Sequence, residues 1–284
     1  MDTLPRVLMF VFVITSMLGI GMQTGTADLR LLLASKRLLL RSLLANFAVV
    51  PAIGFVMSRT LPLKPEAVCA LLLLACTPGG ISALQFTGKI KDASLFAGGS
   101  AFMLSFFAVF ISPALLELLH PARISVVIRY GPVLFFITLF LLLPLALGML
   151  VRSGANRLAE RISKPCALIS AITFIMVTLL IMGERKGAMN AVGKEGLLCM
   201  LTLIGSSMTV GWFMGGPARE TRPVLATVTG MRNVALCLFI ALETFPGPAV
   251  QTPLVAFSAL MVPPNMLLTL YIVIRSRRKG RIKV

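Results

Sequence analysis

Long unbroken runs of apolar residues dominate this chain, and short polar stretches separate them. The runs cover approximately residues 7–23, 38–58, 66–90, 93–118, 125–151, 166–183, 196–216, 222–245 and 249–274. A helix needs about 20 apolar residues to cross about 30 Å of hydrocarbon. Because the runs are continuous and do not alternate with polar positions, they favour helices over the strands of a membrane barrel. The pattern predicts an all-α, polytopic membrane protein with about nine transmembrane helices.

The composition supports a membrane protein. Of the 284 residues, 57% are hydrophobic and 13% are charged, against about 25% charged residues in soluble domains. The mean hydropathy is +0.95. These values exclude a disordered chain, a collagen-like fibre and a disulfide-stapled secreted module. Nine helices leave only short loops, so we expect residues 1–284 to be a single transmembrane unit. No cleavage site follows the first run, which we expect to be a retained span.

The basic residues are distributed unevenly between the two sides of the predicted membrane. An odd number of spans places the termini on opposite sides. The loops on the side of the C-terminal tail hold eighteen Lys and Arg, and those on the other side hold eight. The positive-inside rule therefore predicts an outside N-terminus and a cytoplasmic C-terminus. The net charge of +17 is mainly an orientation signal, and its spread over many loops does not indicate nucleic-acid binding.

Two of the nine runs contain helix breakers near their middle. The third run includes Thr-Pro-Gly-Gly at 77–80, and the eighth includes Gly-Met-Arg-Asn at 230–233. A break exposes backbone polar groups, which is tolerated in a membrane where they line a polar cavity. Paired breaks at corresponding positions of two halves point to a transporter binding site within an inverted repeat that has two broken helices. The expected hinge residues are Pro78, Gly79, Gly80 and Gly230.

Arg232 is the candidate for binding a charged ligand. About nine mostly apolar residues lie on either side of it, which places it near the middle of the eighth span. An intramembrane arginine costs several kcal/mol and faces a cavity or a partner. Its guanidinium matches carboxylates and phosphates, and the N-termini of half-helices add positive potential. These features favour an anion site, although a loop-end or snorkelling arginine is the structural alternative.

Several segments together resemble the bile acid:sodium symporter family. They are the glycine-rich stretch 17–22 with the following loop 26–30, the segment 44–51 with an amide near a proline, the stretch 61–80, and Gly-Met-Arg-Asn at 230–233. The last is similar to the second crossover of the family, which usually reads E-x-G-M-Q-N. The likeness covers nearly the whole chain, which resembles a divergent bacterial-type member. It implies a multi-pass protein of the bacterial inner (plasma) membrane.

The resemblance also implies an architecture and an activity. A core domain with two crossing broken helices would comprise about 26–120 and 190–274, and a panel domain about 1–25 and 121–189. Small organic anions would cross the lipid bilayer by alternating access, with sodium bound beside the crossover. The residues expected to contact the substrate are Arg232, Asn233, Asn46, Ser82, Gln85 and Thr229.

This chain departs from the family pattern where sodium should bind. The crossover glutamate falls on Val228 and the glutamine falls on Arg232, while a Ser-Asn pair falls on Ala83 and Leu84. Sodium prefers oxygen ligands and needs negative charge nearby when it is buried. Two unit charges about 4 Å apart repel by about 4 kcal/mol at an effective dielectric constant of 20. We therefore predict sodium-independent transport, with no cofactor.

Two other functions stay open at this point. One is a sodium-coupled organic-anion symporter whose ion site is rebuilt from hydroxyl and amide groups. Those groups belong to Ser82, Gln85, Thr87, Thr227 and Thr229. The other is a membrane sensor of the same fold that binds its ligand without transporting it.

Enzymatic, metal and proton chemistry find little support in the sequence. None of the ten carboxylates lies at mid-span, and His120, the single histidine, falls in a predicted loop. The five cysteines lie in apolar runs without CxxC spacing, which is typical of small buried hydrophobes. We therefore expect neither an enzyme nor a metal site.

Overall fold

A computed structural model describes residues 3–78, 91–119, 135, 138–183, 188–217, 221–245 and 249–278. These residues are almost entirely helical. The α-helices are α1 (Thr3–Gln23), α2 (Thr26–Ala34), α3 (Lys36–Leu44), α4 (Val50–Thr60), α5 (Pro65–Cys76), α6 (Lys91–Leu119), α7 (Leu143–Gly154), α8 (Asn156–Gly183), α9 (Ala188–Met214), α10 (Thr221–Gly230), α11 (Val234–Thr244), α12 (Gln251–Leu260) and α13 (Val262–Arg278). Two π-helical segments, Ala45–Val49 and Thr138–Leu142, lead directly into α4 and α7.

Six described segments are long and apolar enough to cross a membrane. They are Leu4–Gln23, Lys36–Thr60, Phe96–Leu119, Asn156–Leu180, Val192–Met214 and Gln251–Ile272. Three shorter apolar segments, Pro65–Cys76, Thr138–Gly154 and Val234–Thr244, belong to the third, fifth and eighth predicted spans. Each predicted span therefore contains an apolar helical segment, and the prediction of a polytopic helical membrane protein is confirmed.

The helix of the third span ends just before its predicted breaker, and the eighth span is interrupted within its apolar run. α5 ends at Cys76, and the predicted remainder of its span after residue 78 lies outside the described residues. In the eighth span, α10 ends at Gly230 and α11 begins at Val234. The interruption of the eighth span is therefore described on both sides, whereas in the third span the described chain ends at Pro78, and Gly79 and Gly80 fall outside it.

Helix α1 packs along α7 and α8. The contact with α7 is close because a glycine from each helix lies at the crossing. A Cβ atom on Gly21 would collide with the carbonyl oxygen of Leu145, and a Cβ on Gly148 would collide with that of Leu18. Small residues at such crossings let two membrane helices approach to backbone contact. The first, fifth and sixth predicted spans are therefore packed together.

A second close crossing joins α9 to α10. Gly211 near the end of α9 and Gly215 immediately after it each face the backbone of α10. A Cβ on Gly211 would stand 2.5 Å from the carbonyl oxygen of Leu225 and 2.7 Å from the Cα of Ala226. α10 is thus held against a long neighbouring helix. The division of the chain into panel and core at the predicted boundaries stays a prediction.

Burial separates the broken helices from the peripheral ones. Ten consecutive residues of α5, from 67 to 76, are buried, as are residues 234–241 of α11. By contrast, α8 carries an exposed apolar stripe of Leu168, Ile172, Ile175 and Leu179. Those side chains follow helical spacing on one face, where lipid tails are the natural solvent. The broken helices therefore lie inside the bundle.

Candidate functional site

The two interrupted spans meet at their breaks. Pro78 and Arg232 form an isolated antiparallel bridge, and the backbone N–H of Asn233 donates to the carbonyl oxygen of Thr77 over 3.1 Å. A residue before proline is disfavoured in the helical region, and Thr77 has φ −114° and ψ 81°. Extended backbone from both breaks therefore lies side by side, and this junction is named the crossover below.

Side chains satisfy several of the backbone groups that the breaks expose. The hydroxyl of Ser112 on α6 donates to the carbonyl oxygen of Cys76 over 2.6 Å. The Thr77 hydroxyl donates to the carbonyl oxygen of Leu73 over 2.6 Å. At the other break, Oδ1 of Asn233 accepts from the backbone N–H of Leu236 over 3.1 Å and caps the start of α11. These bonds matter because unpaired backbone groups in hydrocarbon cost several kcal/mol each.

We expect Asn233→Ala to lower the free energy of unfolding by about 1 kcal/mol, which is typical for the loss of an N-cap side chain. The physical reason is the orphaned N–H of Leu236. Asn233→Ser keeps a capping oxygen and is the matched control, so its stability should lie close to that of the native chain. Thermal unfolding in detergent measures both. Equal losses for the alanine and serine variants would show that the cap is not what Asn233 contributes.

Arg232 lies at the crossover, and its side chain is buried, with 1% of the residue exposed. Its Nη2 donates to Oγ of Ser207 on α9 over 3.0 Å, and its Nη1 donates to Oδ1 of Asn46 over 3.5 Å. Nε has no acceptor among the described residues. Asn46 in turn donates through Nδ2 to the carbonyl oxygen of Ser42 and to the hydroxyl of Thr229. The guanidinium is thus fixed in place by neutral groups.

The position of Asn46 depends on a local irregularity of its span. Asn46 lies in the π-helical segment Ala45–Val49, immediately before α4, which has Pro51 in its first turn. A proline removes one backbone hydrogen bond, and single-turn π segments inside helices frequently occur at functional sites. The irregular turn brings the amide of Asn46 toward Arg232, although the two residues lie 186 positions apart.

No carboxylate among the described residues pairs with Arg232. The ion pairs found there are Arg6 with Glu243 and Arg152 with Glu160. Both α5 and α10 end at the crossover, and the C-terminal end of a helix carries a partial negative charge. α11 begins there and contributes the opposite sign. The helix N-termini expected from the sequence therefore account for only part of the local charge, because the two C-terminal ends partly compensate the buried cation.

A cavity of about 200 Å³ lies beside the crossover. It is lined by α1 and α8, by the crossover, and by the junction of α12 and α13. The polar or charged residues at its edge are Ser16, Ser170, Arg232, Asn233 and Ser258. Apolar residues complete it, among them Phe12, Phe174, Val234 and Met261. The cavity therefore combines an apolar lining with the first turn of α11.

The structure brings four of the predicted substrate residues together. Arg232 and Asn233 line the cavity, and Asn46 and Thr229 form the hydrogen-bonded layer behind them. Val228, at the position where the resemblance implies a glutamate, is fully buried on α10. The predicted positions Ser82, Ala83, Leu84 and Gln85, together with Thr87 and His120, lie outside the described residues.

Sequence reasoning missed four serines that the structure places in this region. Ser16, Ser170 and Ser258 line the cavity, and Ser207 holds the guanidinium of Arg232. Each lies alone or beside one other serine in an apolar run, where a hydroxyl can bond to its own helix. Only the adjacent pair 206–207 in the seventh span stands out as a signal. Long-range packing, and not local pattern, selects these residues.

The five cysteines are buried and form no disulfide. This agrees with the prediction that they are small core hydrophobes. Cys76 ends α5, and Cys237 lies one turn into α11 beside the hydroxyl of Thr77. The thiols are thus part of the packing around the crossover.

Comparison with known families agrees with this architecture. A family model described as "Sodium Bile acid symporter family" matches residues 9–190, which is more than half of the chain. The chain therefore belongs to the sodium bile acid symporter family, and the resemblance seen in its motifs is confirmed. This is a family of transporters and not of enzymes.

Individual relatives are distant but cover most of the chain. The rice protein "Probable sodium/metabolite cotransporter BASS1, chloroplastic" is 24% identical over 84% of this chain and 59% of its own length. The rat "Hepatic sodium/bile acid cotransporter" is 22% identical over 99% and 80%, respectively. The Bacillus subtilis "Uncharacterized sodium-dependent transporter YocS" is 21% identical over 85% and 75%. The chain spans about 60% of the length of the plant relatives it matches.

Proposed function

We propose that this protein is a secondary transporter that moves a small organic anion by alternating access without sodium. The guanidinium of Arg232 would take the place of the coupling cation beside the crossover. The observation that carries this proposal is a buried arginine with neutral partners, adjacent to a cavity between α1, α8 and the crossover. Relatives named as sodium/bile acid and sodium/metabolite cotransporters support transport of organic anions.

The chemistry of the cavity favours an anion. The N-terminus of α11 opens at its wall and carries a partial positive charge. Nδ2 of Asn233 is buried and has no acceptor among the described residues, so it offers a donor that a carboxylate oxygen would satisfy. Arg232 lies directly next to Asn233 and adds a full positive charge. An anion in the cavity would therefore compensate a buried cation whose other described partners are neutral.

The same geometry disfavours sodium. Oδ1 of Asn46 accepts from Arg232, so an oxygen that could coordinate a cation is already used. Val228 offers no ligand. A sodium ion about 4 Å from the guanidinium would be repelled by about 4 kcal/mol at an effective dielectric constant of 20, before any cost of dehydration. The compensating glutamate of the family pattern is absent.

A thermal-shift screen of mono- and dicarboxylates and bile acids, followed by uptake into proteoliposomes, tests the proposal. We expect at least one organic anion to raise the unfolding temperature equally in sodium chloride and choline chloride, and to be taken up at equal rates in both. Loss of uptake in choline would contradict sodium independence. Binding of the anion without flux would instead support the non-transporting sensor.

A sodium-coupled symporter with a rebuilt site is the second candidate. The observation in its favour is the hydroxyl of Thr227, which is buried in α10 and has no partner among the described residues. The neighbouring hydroxyl of Thr229 is already engaged by Asn46. Thr227→Val would abolish any sodium response on this alternative, whereas on the favoured proposal it changes the transport rate equally in both salts.

We further propose a bacterial inner membrane location with the N-terminus outside and the C-terminus cytoplasmic. The excess of Lys and Arg in the loops on the C-terminal side supports this orientation. The predicted topology places Leu4 outside and Arg157 in a cytoplasmic loop. Labelling of single cysteines introduced at these two positions in intact cells would test this orientation.

A further inference from the structure

We propose that two layers of contacts between α1 and α11 close the cavity on one membrane face, and that they block exchange of substrate with that face in this conformation. The layers are the ion pair Arg6–Glu243 and the aromatic cluster of Phe10, Phe140 and Phe239. They are named the N-terminal closure, and the face at which α1 begins and α11 ends is the N-terminal face. The inference rests on the proposed function, because a closure has a role only in alternating access.

The first layer is an ion pair at the rim. Nη2 of Arg6 lies 2.9 Å from Oε1 of Glu243, with the two side chains 54% and 15% exposed. Arg6 belongs to the first turns of α1, and Glu243 belongs to the last turn of α11. The pair therefore joins two helices that run in opposite directions past each other, at the membrane face that both reach.

The second layer lies one helical turn deeper on both helices. Phe10 follows Arg6 by four residues, and Phe239 precedes Glu243 by four, so each residue lies beneath its charged neighbour. The ring centroids of Phe10 and Phe239 are 5.8 Å apart in an edge-to-face arrangement. Phe140, from the π-helical segment before α7, lies 4.7 Å from Phe10 and 6.3 Å from Phe239. Helices α1 and α11 and the π-helical segment thus meet in one aromatic cluster.

The cavity lies beyond the aromatic layer along the same two helices, further from the N-terminal face. Its lining includes Ser16 on α1 and Ala235 on α11, which at 1.5 Å per residue lie about 6–9 Å beyond the aromatic layer. Along both helices the order is ion pair, aromatic cluster and cavity. The closure therefore stands between the cavity and the N-terminal face, and in this conformation exchange with that face is blocked.

The strength of the closure suits reversible opening. An exposed ion pair shifts the equilibrium between the closed and open conformations by up to about fivefold. An aromatic pair shifts it by a similar factor, in addition to the effect of burying its surface. Alternating conformations need free-energy differences small enough to be overcome by substrate binding. Two weak layers meet that requirement, whereas the glycine crossings that hold α1 to α7 are too tightly packed to separate.

The test measures access to the cavity directly and requires no substrate. Ser16→Cys places a thiol in the cavity wall, and a membrane-impermeant cationic methanethiosulfonate is applied from the N-terminal face only. Leu4→Cys, at the exposed start of α1, identifies that face by its rapid reaction. The native chain, whose five cysteines are buried, supplies the background rate.

In the Ser16→Cys chain we expect Glu243→Arg to raise the labelling rate about fivefold, because two arginines then face each other at the rim. Arg6→Glu combined with Glu243→Arg restores an ion pair of reversed polarity and should bring the rate back to within about twofold of the starting value. Phe10→Ala should also raise the rate about fivefold, through the aromatic layer alone. The matched control is Arg152→Glu, which breaks an ion pair of 3.0 Å between α7 and α8 and should leave the rate unchanged.

Unchanged labelling in both Glu243→Arg and Phe10→Ala would overturn the closure. So would a charge-reversed double variant that reacts as fast as the single one. Thermal unfolding of each variant separates opening from misfolding, since a chain that has lost its fold also exposes its native thiols. Because labelling does not depend on flux, a failed closure and a failed transport activity are distinguished by separate measurements.

Discussion

Replacing Arg232 by glutamine and Val228 by glutamate together is expected to create a response to sodium. The double variant removes the fixed cation and introduces a carboxylate four residues earlier in the same broken span. A buried carboxylate without a counter-ion is strongly disfavoured, so a small cation coordinated by oxygen ligands would be taken up. Sodium at about 100 times its dissociation constant stabilises the folded state by about 2.7 kcal/mol. Thermal unfolding in sodium chloride and in choline chloride measures this difference.

The two single variants provide the internal controls for this experiment. Val228→Glu alone retains Arg232, which can pair with the new carboxylate, so we expect no sodium response. Arg232→Gln alone lacks the carboxylate and should also be insensitive to sodium. It should bind the anion about ten- to a hundredfold more weakly, because bonds to a charged group contribute about 1.5–3 kcal/mol. A folded double variant with identical unfolding in both salts would refute the idea that Arg232 stands in for the ion.

Gly211→Ala is expected to be strongly destabilising. The added Cβ would stand 2.5 Å from the carbonyl oxygen of Leu225 and 2.7 Å from the Cα of Ala226. Both obstacles belong to the backbone of α10, so no side-chain rotation relieves the clash, and α9 and α10 must separate. Overpacking of this kind costs about 1–3 kcal/mol. A lower unfolding temperature in detergent would report it.

Gly205→Ala is the matched control, because it lies on the same helix six residues earlier. A Cβ at Gly205 has no neighbour within 4 Å, so the substitution adds a methyl group without a clash. Alanine is favoured over glycine inside a helix by up to about 1 kcal/mol. We therefore expect Gly205→Ala to be neutral or stabilising. Similar losses for the two variants would mean that the crossing of α9 with α10 tolerates separation.

The helical membrane architecture could be predicted from the sequence because bilayer thickness imposes a simple rule on apolar length. The same holds for the end of α5 just before Pro78, because a proline restricts the backbone of the residue before it. Both are local properties, readable from a few residues at a time. The resemblance in the segments around these breaks was equally local, and it identified the family correctly.

The environment of Arg232 could not be predicted, because it is assembled from distant parts of the chain. Ser207 and Asn46 reach the guanidinium from separate helices, 25 and 186 positions away. The π-helical turn that carries Asn46 has no reliable signature in a single sequence. The C-terminal ends of α5 and α10 meet there only after folding. Their negative partial charges near Arg232 could therefore not be predicted from the sequence. Tertiary packing determines these contacts around Arg232, and the local sequence pattern does not encode them.

The guanidinium of Arg232 is covalently attached, so on the proposed mechanism it stays in the protein while the anion crosses. A sodium ion, in contrast, would cross together with the substrate and cancel its charge. As a uniporter, and not as an exchanger of like charges, the protein would then move one net charge with each monovalent anion and generate a current. A potential of 100 mV acts on one charge with about 2.3 kcal/mol, equivalent to about a fiftyfold concentration ratio. With a negative cell interior, this force opposes accumulation of the anion and drives its export.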